Sequence, residues 1–158
     1  MFKDQVVVDL GAGATPAGYL LSELLRARAY VGVELYNYGS LEILMRTLSK
    51  NKRLNMGIEG DIKDSPDFYK HNIPYSIVPS DILSFLRRLP DDSVSILMGG
   101  IDTGVISDDS YRRQIFEEIK RVLSKDGGFL CQQSNPPAEL KLEVVHNGHG
   151  LCGWRLYI

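Results

Sequence analysis

The sequence predicts an α/β fold: a doubly wound, mostly parallel seven-stranded sheet with helices on both faces and a C-terminal antiparallel hairpin. Three observations carry this. Short apolar runs alternate with amphipathic helical stretches, the order of β-α-β units. Val6–Leu10 reads as a continuous apolar run of strand length, the pattern of a strand buried on both faces. The tail breaks the rhythm, with two strand-like runs joined around Asn147-Gly148, a two-residue hairpin signal.

Val6–Leu10 reads as the first strand. Thr15 suits a helix cap and Pro16 a first helical turn, where a missing N–H costs nothing. Leu20, Leu21, Leu24 and Leu25 give the following helix one apolar face. Tyr30–Leu35 is the second strand and ends beside an acid, Glu34. Ser40 suits the cap of a helix whose inner face is Leu41, Leu44, Met45 and Leu48, with Glu42 and Arg46 paired outside. Residues 51–74 are polar, hold Gly57, Gly60, Pro66 and Pro74, and show no period. They read as a long loop insertion with one helical turn near Pro66–Lys70, and loops of that length are usually functional.

Regularity then returns. Tyr75–Pro79 is the third strand, Ile82–Leu89 a helix stopped by Pro90, and Val94–Met98 the fourth strand, ending at Gly99-Gly100. Ser110–Ser124 is the strongest helix, with Ile115, Phe116, Ile119, Val122 and Leu123 on one face. Asp108 and Asp109 suit its N-terminus, and Lys120, Arg121 and Lys125 its C-terminus. Gly127-Gly128 ends it before a fifth strand at Phe129–Gln133. Leu142–Val145 and Cys152–Ile158 form the closing pair.

A length of 158 residues suits one domain, residues 1–158. The chain is 44% hydrophobic and 24% charged, with a net charge of −2, so no basic surface argues for a nucleic-acid partner. No apolar run is long enough to span a bilayer, and Met1-Phe2-Lys3-Asp4 has no signal-peptide build. Cys131 and Cys152 sit in apolar stretches and read as buried thiols of a reducing, cytoplasmic setting. No metal site is expected.

In a doubly wound sheet, ligands bind outside the carboxyl ends of the strands, at the switch point. Asp9, Gly11, Gly13, Glu34, Asp81 and Gly99-Gly100 all fall there. Two ligand classes compete. The dinucleotide fingerprint needs a third glycine where this chain has Pro16, and Asp9 before the turn repels a diphosphate. Asp9 suits a cationic ligand, or one carrying amine and hydroxyl donors.

"VVDLGAG" (7–13) resembles motif I of the class I S-adenosylmethionine-dependent methyltransferases. Glu34 in "GVEL" is similar to the acid that holds the ribose hydroxyls in that family, and "SDI" (80–82) to the acid and apolar neighbour that bracket the adenine. The 142–158 tail resembles the family's reversed hairpin. The resemblance covers nearly the whole chain. It implies that S-adenosylmethionine, with S-adenosylhomocysteine as product, is held by Asp9, Gly11, Ala12, Gly13, Glu34, Leu35, Asp81, Ile82, Gly99 and Gly100.

The implied activity is methyl transfer to an O, N or C nucleophile of an unidentified acceptor, a small molecule in preference to nucleic acid. The sulfonium already activates the methyl, so positioning and water exclusion suffice and no triad is needed. Asp102, in the segment after the fourth strand (99–109), is the candidate to contact the acceptor, against the plainer reading of a loop acid. "SNPPAEL" (134–140) resembles an amino-methylating Asn-Pro-Pro-aromatic motif, but it follows the fifth strand and has Ala138 where the aromatic belongs, so it reads as a turn. His146 and His149 read as a solvated hairpin end, and Trp154 and Tyr157 as sheet packing. Tyr36 and Tyr38 are divided between the adenosine pocket and helix-entry packing.

Many family members carry recognition helices before the first strand, which here starts near Val6. The recognition region therefore lies elsewhere, or the chain is a fragment, or it is a minimal domain with an open cleft; residues 51–74 are the candidate lid. Two other readings stand: a non-catalytic S-adenosylmethionine-binding or partner subunit, which allows a homo-oligomer or a partner chain, and a dinucleotide-dependent oxidoreductase.

Overall fold

The computed structural model describes residues 2–13, 17–35, 73–98 and 108–131 in full, and the backbone of 142–148 and 151–156. In chain order these give β1 (Val6–Leu10), α1 (Ala17–Leu24), β2 (Ala29–Glu34), β3 (Tyr75–Pro79), α2 (Ile82–Leu86), β4 (Ser95–Met98), α3 (Asp109–Val122), β5 (Phe129–Cys131), β6 (Leu142–Gly148) and β7 (Leu151–Leu156).

The strand order is β3-β2-β1-β4-β5-β7-β6. The first five strands are parallel, with Val8 opposite both Val31 and Ile96 at the centre. β7 runs antiparallel to β5, and β6 antiparallel to β7. The chain builds outward from β1 through β2 to β3, then returns to lay β4 on the other side of β1. That reversal opens a crevice at the carboxyl ends of β1 and β4.

Side chains alternate across the sheet and separate two cores. Val8, Leu10, Val33, Ile96, Met98 and Phe129 face α2 and α3, meeting Leu83, Leu86, Ile115, Phe116, Ile119 and Val122. Val7, Tyr30 and Leu97 face α1, meeting Tyr19. Asp9, two residues beyond Val7, takes the α1 side of β1 by the same alternation.

Several boundaries differ from the sequence reading. Leu24 is 48% exposed, and α1 turns Tyr19 and Ser22 inward instead. Ser22 is accommodated because its hydroxyl donates to the Gly18 carbonyl at 2.7 Å. α2 stops at Leu86, with Arg87 as its C-cap, before Pro90 is reached. α3 ends at Val122, ahead of Gly127-Gly128, because Leu123 turns extended and bridges Val94. Asn147 and Gly148 are strand residues opposite Cys152 and Leu151 and not the turn itself; the register breaks between Val144 and His146. The expected helix after Ser40, Tyr36 and Tyr38, residues 51–72 of the loop, the segment 99–107 with Asp102, and Asn135 lie outside the described residues. Ile73, at the end of that loop, is buried and accepts a hydrogen bond from the Tyr19 hydroxyl at 3.4 Å.

Candidate functional site

The turn after β1 is built by β2. Gly11 N–H and Ala12 N–H both donate to the Val33 carbonyl, at 2.9 and 3.1 Å, so the chain leaves the sheet only after Ala12. Gly11 (φ 71°) and Gly13 (φ 62°) occupy the left-handed region, where a side chain would be strained. Among the described residues, a Cβ placed on Gly13 would meet nothing nearer than the Gly11 carbonyl oxygen, 4.0 Å away.

Glu34 closes the turn from the end of β2. Its Oε2 accepts from Gly13 N–H at 3.0 Å and its Oε1 from Leu35 N–H at 2.8 Å. A carboxylate offers about four acceptor positions, and the donors among the described residues take two of them. Leu35, the next residue, is 61% exposed, the more exposed of the two large apolar side chains left open among the described residues.

Asp9 lies under the turn at 5% exposure. Its Oδ2 accepts from the Tyr30 hydroxyl at 2.8 Å. Burial pushes the Asp9 carboxyl up to about 6, against the Tyr30 hydrogen bond that lowers it, and the nearby charge of Glu34 adds to the rise. Gly18 makes room for it: a Cβ there would lie 1.9 Å from Oδ2 and 3.2 Å from the Tyr30 ring.

Asp81 stands at the end of β3 as the N-cap of α2, accepting from Ser84 N–H at 2.9 Å. Its other oxygen accepts from the Tyr111 hydroxyl on α3. Burial alone would raise the Asp81 carboxyl, but the hydrogen bonds from Tyr111 and Ser84 outweigh it and hold it below the usual range. Burial, and after it the hydrogen bond to and charge of Asp81, push the Tyr111 hydroxyl up to about 12. Ile82 follows, half-buried against the α2–α3 core.

The ends of β1, β2 and β3 thus bring together Asp9, Gly11, Ala12, Gly13, Glu34, Leu35, Asp81 and Ile82. Gly99 and Gly100 follow β4 directly but lie outside the described residues, as does Asp102. Sequence reasoning missed Tyr30, Gly18 and Tyr111. Gly18 had a signal, since glycine near the start of a helix is unfavourable unless something packs close. Tyr30 and Tyr111 had none, because their partners are distant in sequence. Among the described residues no group of three or more His, Cys, Asp or Glu could hold a metal ion, and no helix is long and apolar enough to cross a membrane.

No family model matches the chain, and no curated protein matches it. Its fold is similar to that of an S-adenosylmethionine-dependent methyltransferase from Aquifex aeolicus: 15% identity over 96% of this chain and 81% of that one, TM-score 0.57. Another such methyltransferase, from Clostridium acetobutylicum, is similar at 14% identity over 82% of this chain, TM-score 0.55. A conserved hypothetical protein from Streptococcus pyogenes matches 97% of this chain at 13% identity, TM-score 0.56. The chain spans only 43% of the Clostridium acetobutylicum structure and 44–47% of several others that it matches. The protein has the class I S-adenosylmethionine-dependent methyltransferase fold.

Proposed function

We propose that the chain is a single S-adenosylmethionine-binding domain that transfers a methyl group to an O, N or C nucleophile, working in the cytoplasm on a small-molecule acceptor. In this reading the sheet is the seven-stranded one with a reversed C-terminal hairpin. The observation that carries the proposal is Glu34: one carboxylate ties the glycine turn to β2 through Gly13 N–H, and the donors among the described residues leave it acceptor positions for two vicinal hydroxyls.

The residues fit such a ligand. No described residue crowds Gly13, Leu35 is an exposed apolar surface next to Glu34, and Asp81 and Ile82 stand at the neighbouring strand end. Glu34 would hold the ribose, Asp81 the adenine amine, and Leu35 and Ile82 would pack on the ring. Asp9 supplies negative charge beneath the turn toward the cationic end of the ligand. Gly99 and Gly100 complete the set from β4, and Asp102 would orient the acceptor. When bound, the cofactor supplies an electrophilic methyl on a sulfonium. The chain's own task is to bind, align and exclude water.

Calorimetric titration with S-adenosylhomocysteine, S-adenosylmethionine and NAD tests this. Micromolar or tighter binding of S-adenosylhomocysteine, about −8 kcal/mol, with no NAD binding is the expected result. Glu34→Ala should weaken it by about 1–3 kcal/mol through loss of charge-assisted hydrogen bonds. NAD binding alone would favour an oxidoreductase. Unchanged affinity in the variant would remove Glu34 from the site.

A further inference from the structure

We propose that Tyr30 is a positioning residue of the cofactor site: its hydroxyl holds the Asp9 carboxylate beneath the glycine turn, aimed at the cationic end of the ligand. This rests on the cofactor reading above. Tyr30 is 1% exposed, and its hydroxyl donates to Asp9 Oδ2 at 2.8 Å. Its ring is fixed edge-on against Tyr19, centroids 5.8 Å apart at 85°. Two glycines keep space for the pair. A Cβ on Gly18 would overlap Asp9 Oδ2 at 1.9 Å, and one on Gly32 would press the Tyr30 hydroxyl at 3.2 Å and the Ala12 Cβ at 3.2 Å. Ala12 belongs to the turn itself, so the pair, the two glycines and the turn form one packed unit.

A buried carboxylate is costly, and a neutral residue of the same shape would avoid that cost. What the charge offers is attraction to a cation close above it, undiminished by solvent. A hydroxyl donor is the right partner for this purpose. It fixes the carboxylate and favours its charged form, yet it brings no positive charge that would cancel the field. A lysine or arginine in the place of Tyr30 would do so.

The test compares two ligands sharing the 5′-methylthioadenosine skeleton: S-adenosylmethionine, which carries the cationic groups, and 5′-methylthioadenosine itself, which has none. Tyr30→Phe should weaken S-adenosylmethionine about tenfold while leaving 5′-methylthioadenosine within about twofold. Equal weakening of both, or of neither, would show that Tyr30 only packs the sheet. Should Tyr30→Phe not fold, the wild-type chain still decides the matter. Among the described residues, the titratable groups facing Asp9 are Tyr30 and Glu34. Glu34 meets the ribose common to both ligands, so its contribution cancels from the affinity ratio. The preference for S-adenosylmethionine should shrink as pH falls from 7 to 5, through the titration of Asp9 near 6. A constant ratio overturns the proposal. A wild-type chain that binds neither ligand at pH 7 contradicts the cofactor reading itself, before any variant is compared.

Discussion

A carboxylate at 5% exposure with a second carboxylate, Glu34, nearby raises the free energy of the folded state whenever it is charged. Asp9 titrates near 6 when folded, against 3.8 for an unperturbed aspartate. Between those two values the folded chain binds more protons than the unfolded one, so stability falls as pH rises through that window. The full contribution is present below about pH 4 and is gone above about pH 6, a loss on the order of 3 kcal/mol. Asp9→Asn should therefore unfold at a higher urea concentration than wild type at pH 7 while binding S-adenosylmethionine more weakly. A variant less stable at pH 7 would show that the charged form is stabilising. Gly18→Ala acts in the opposite direction. Alanine is the better helix former, but its Cβ would lie 1.9 Å from Asp9 Oδ2 in a filled core. It should cost about 1–3 kcal/mol in the same urea titration, and a stability gain would mean that the carboxylate can move aside.

The elements that present the site were legible where the physics is local. β1 falls on the residues that its apolar run predicts, because a strand buried on both faces has little choice of composition, and β3, an edge strand, has the bounds Tyr75–Pro79 read from the sequence. Asp108 was legible as a helix-start residue for the same local reason, and it caps α3 by accepting from Ser110 N–H at 2.8 Å and Tyr111 N–H at 3.2 Å. Asp108→Ala should lower stability by about 1 kcal/mol, read as a drop in Tm of a few degrees. A Tm unchanged within error would mean that the Tyr111–Asp81 contact alone fixes the start of α3. Helix ends were less legible. Leu24 fits the apolar period yet is exposed, because α1 packs through Tyr19 and Ser22 on a sheet face whose shape the sequence does not display. The Asn147-Gly148 signal is outvoted by pairing with β7, which carries the strand through both residues. Tyr30 was read only as a strand residue, because its hydroxyl partner is 21 positions away.

For the whole chain, the candidate site follows from topology more than from any one motif. Reversal of strand order at β1 gathers the ends of β1, β2 and β3 around one crevice, and each end carries a carboxylate held by a specific donor: Tyr30 for Asp9, Gly13 for Glu34, Tyr111 for Asp81. The fold alone hosts many chemistries, so function rests on these ends. The most direct measurement is an amide NMR titration of the isotopically labelled chain with S-adenosylhomocysteine. The strand-end site predicts saturable shifts centred on Gly11, Ala12, Gly13, Leu35 and Ile82, with the amides of α3 from Ile115 to Val122 left in place. No shifts at millimolar ligand, or shifts that spare the Gly11–Gly13 turn, would contradict it.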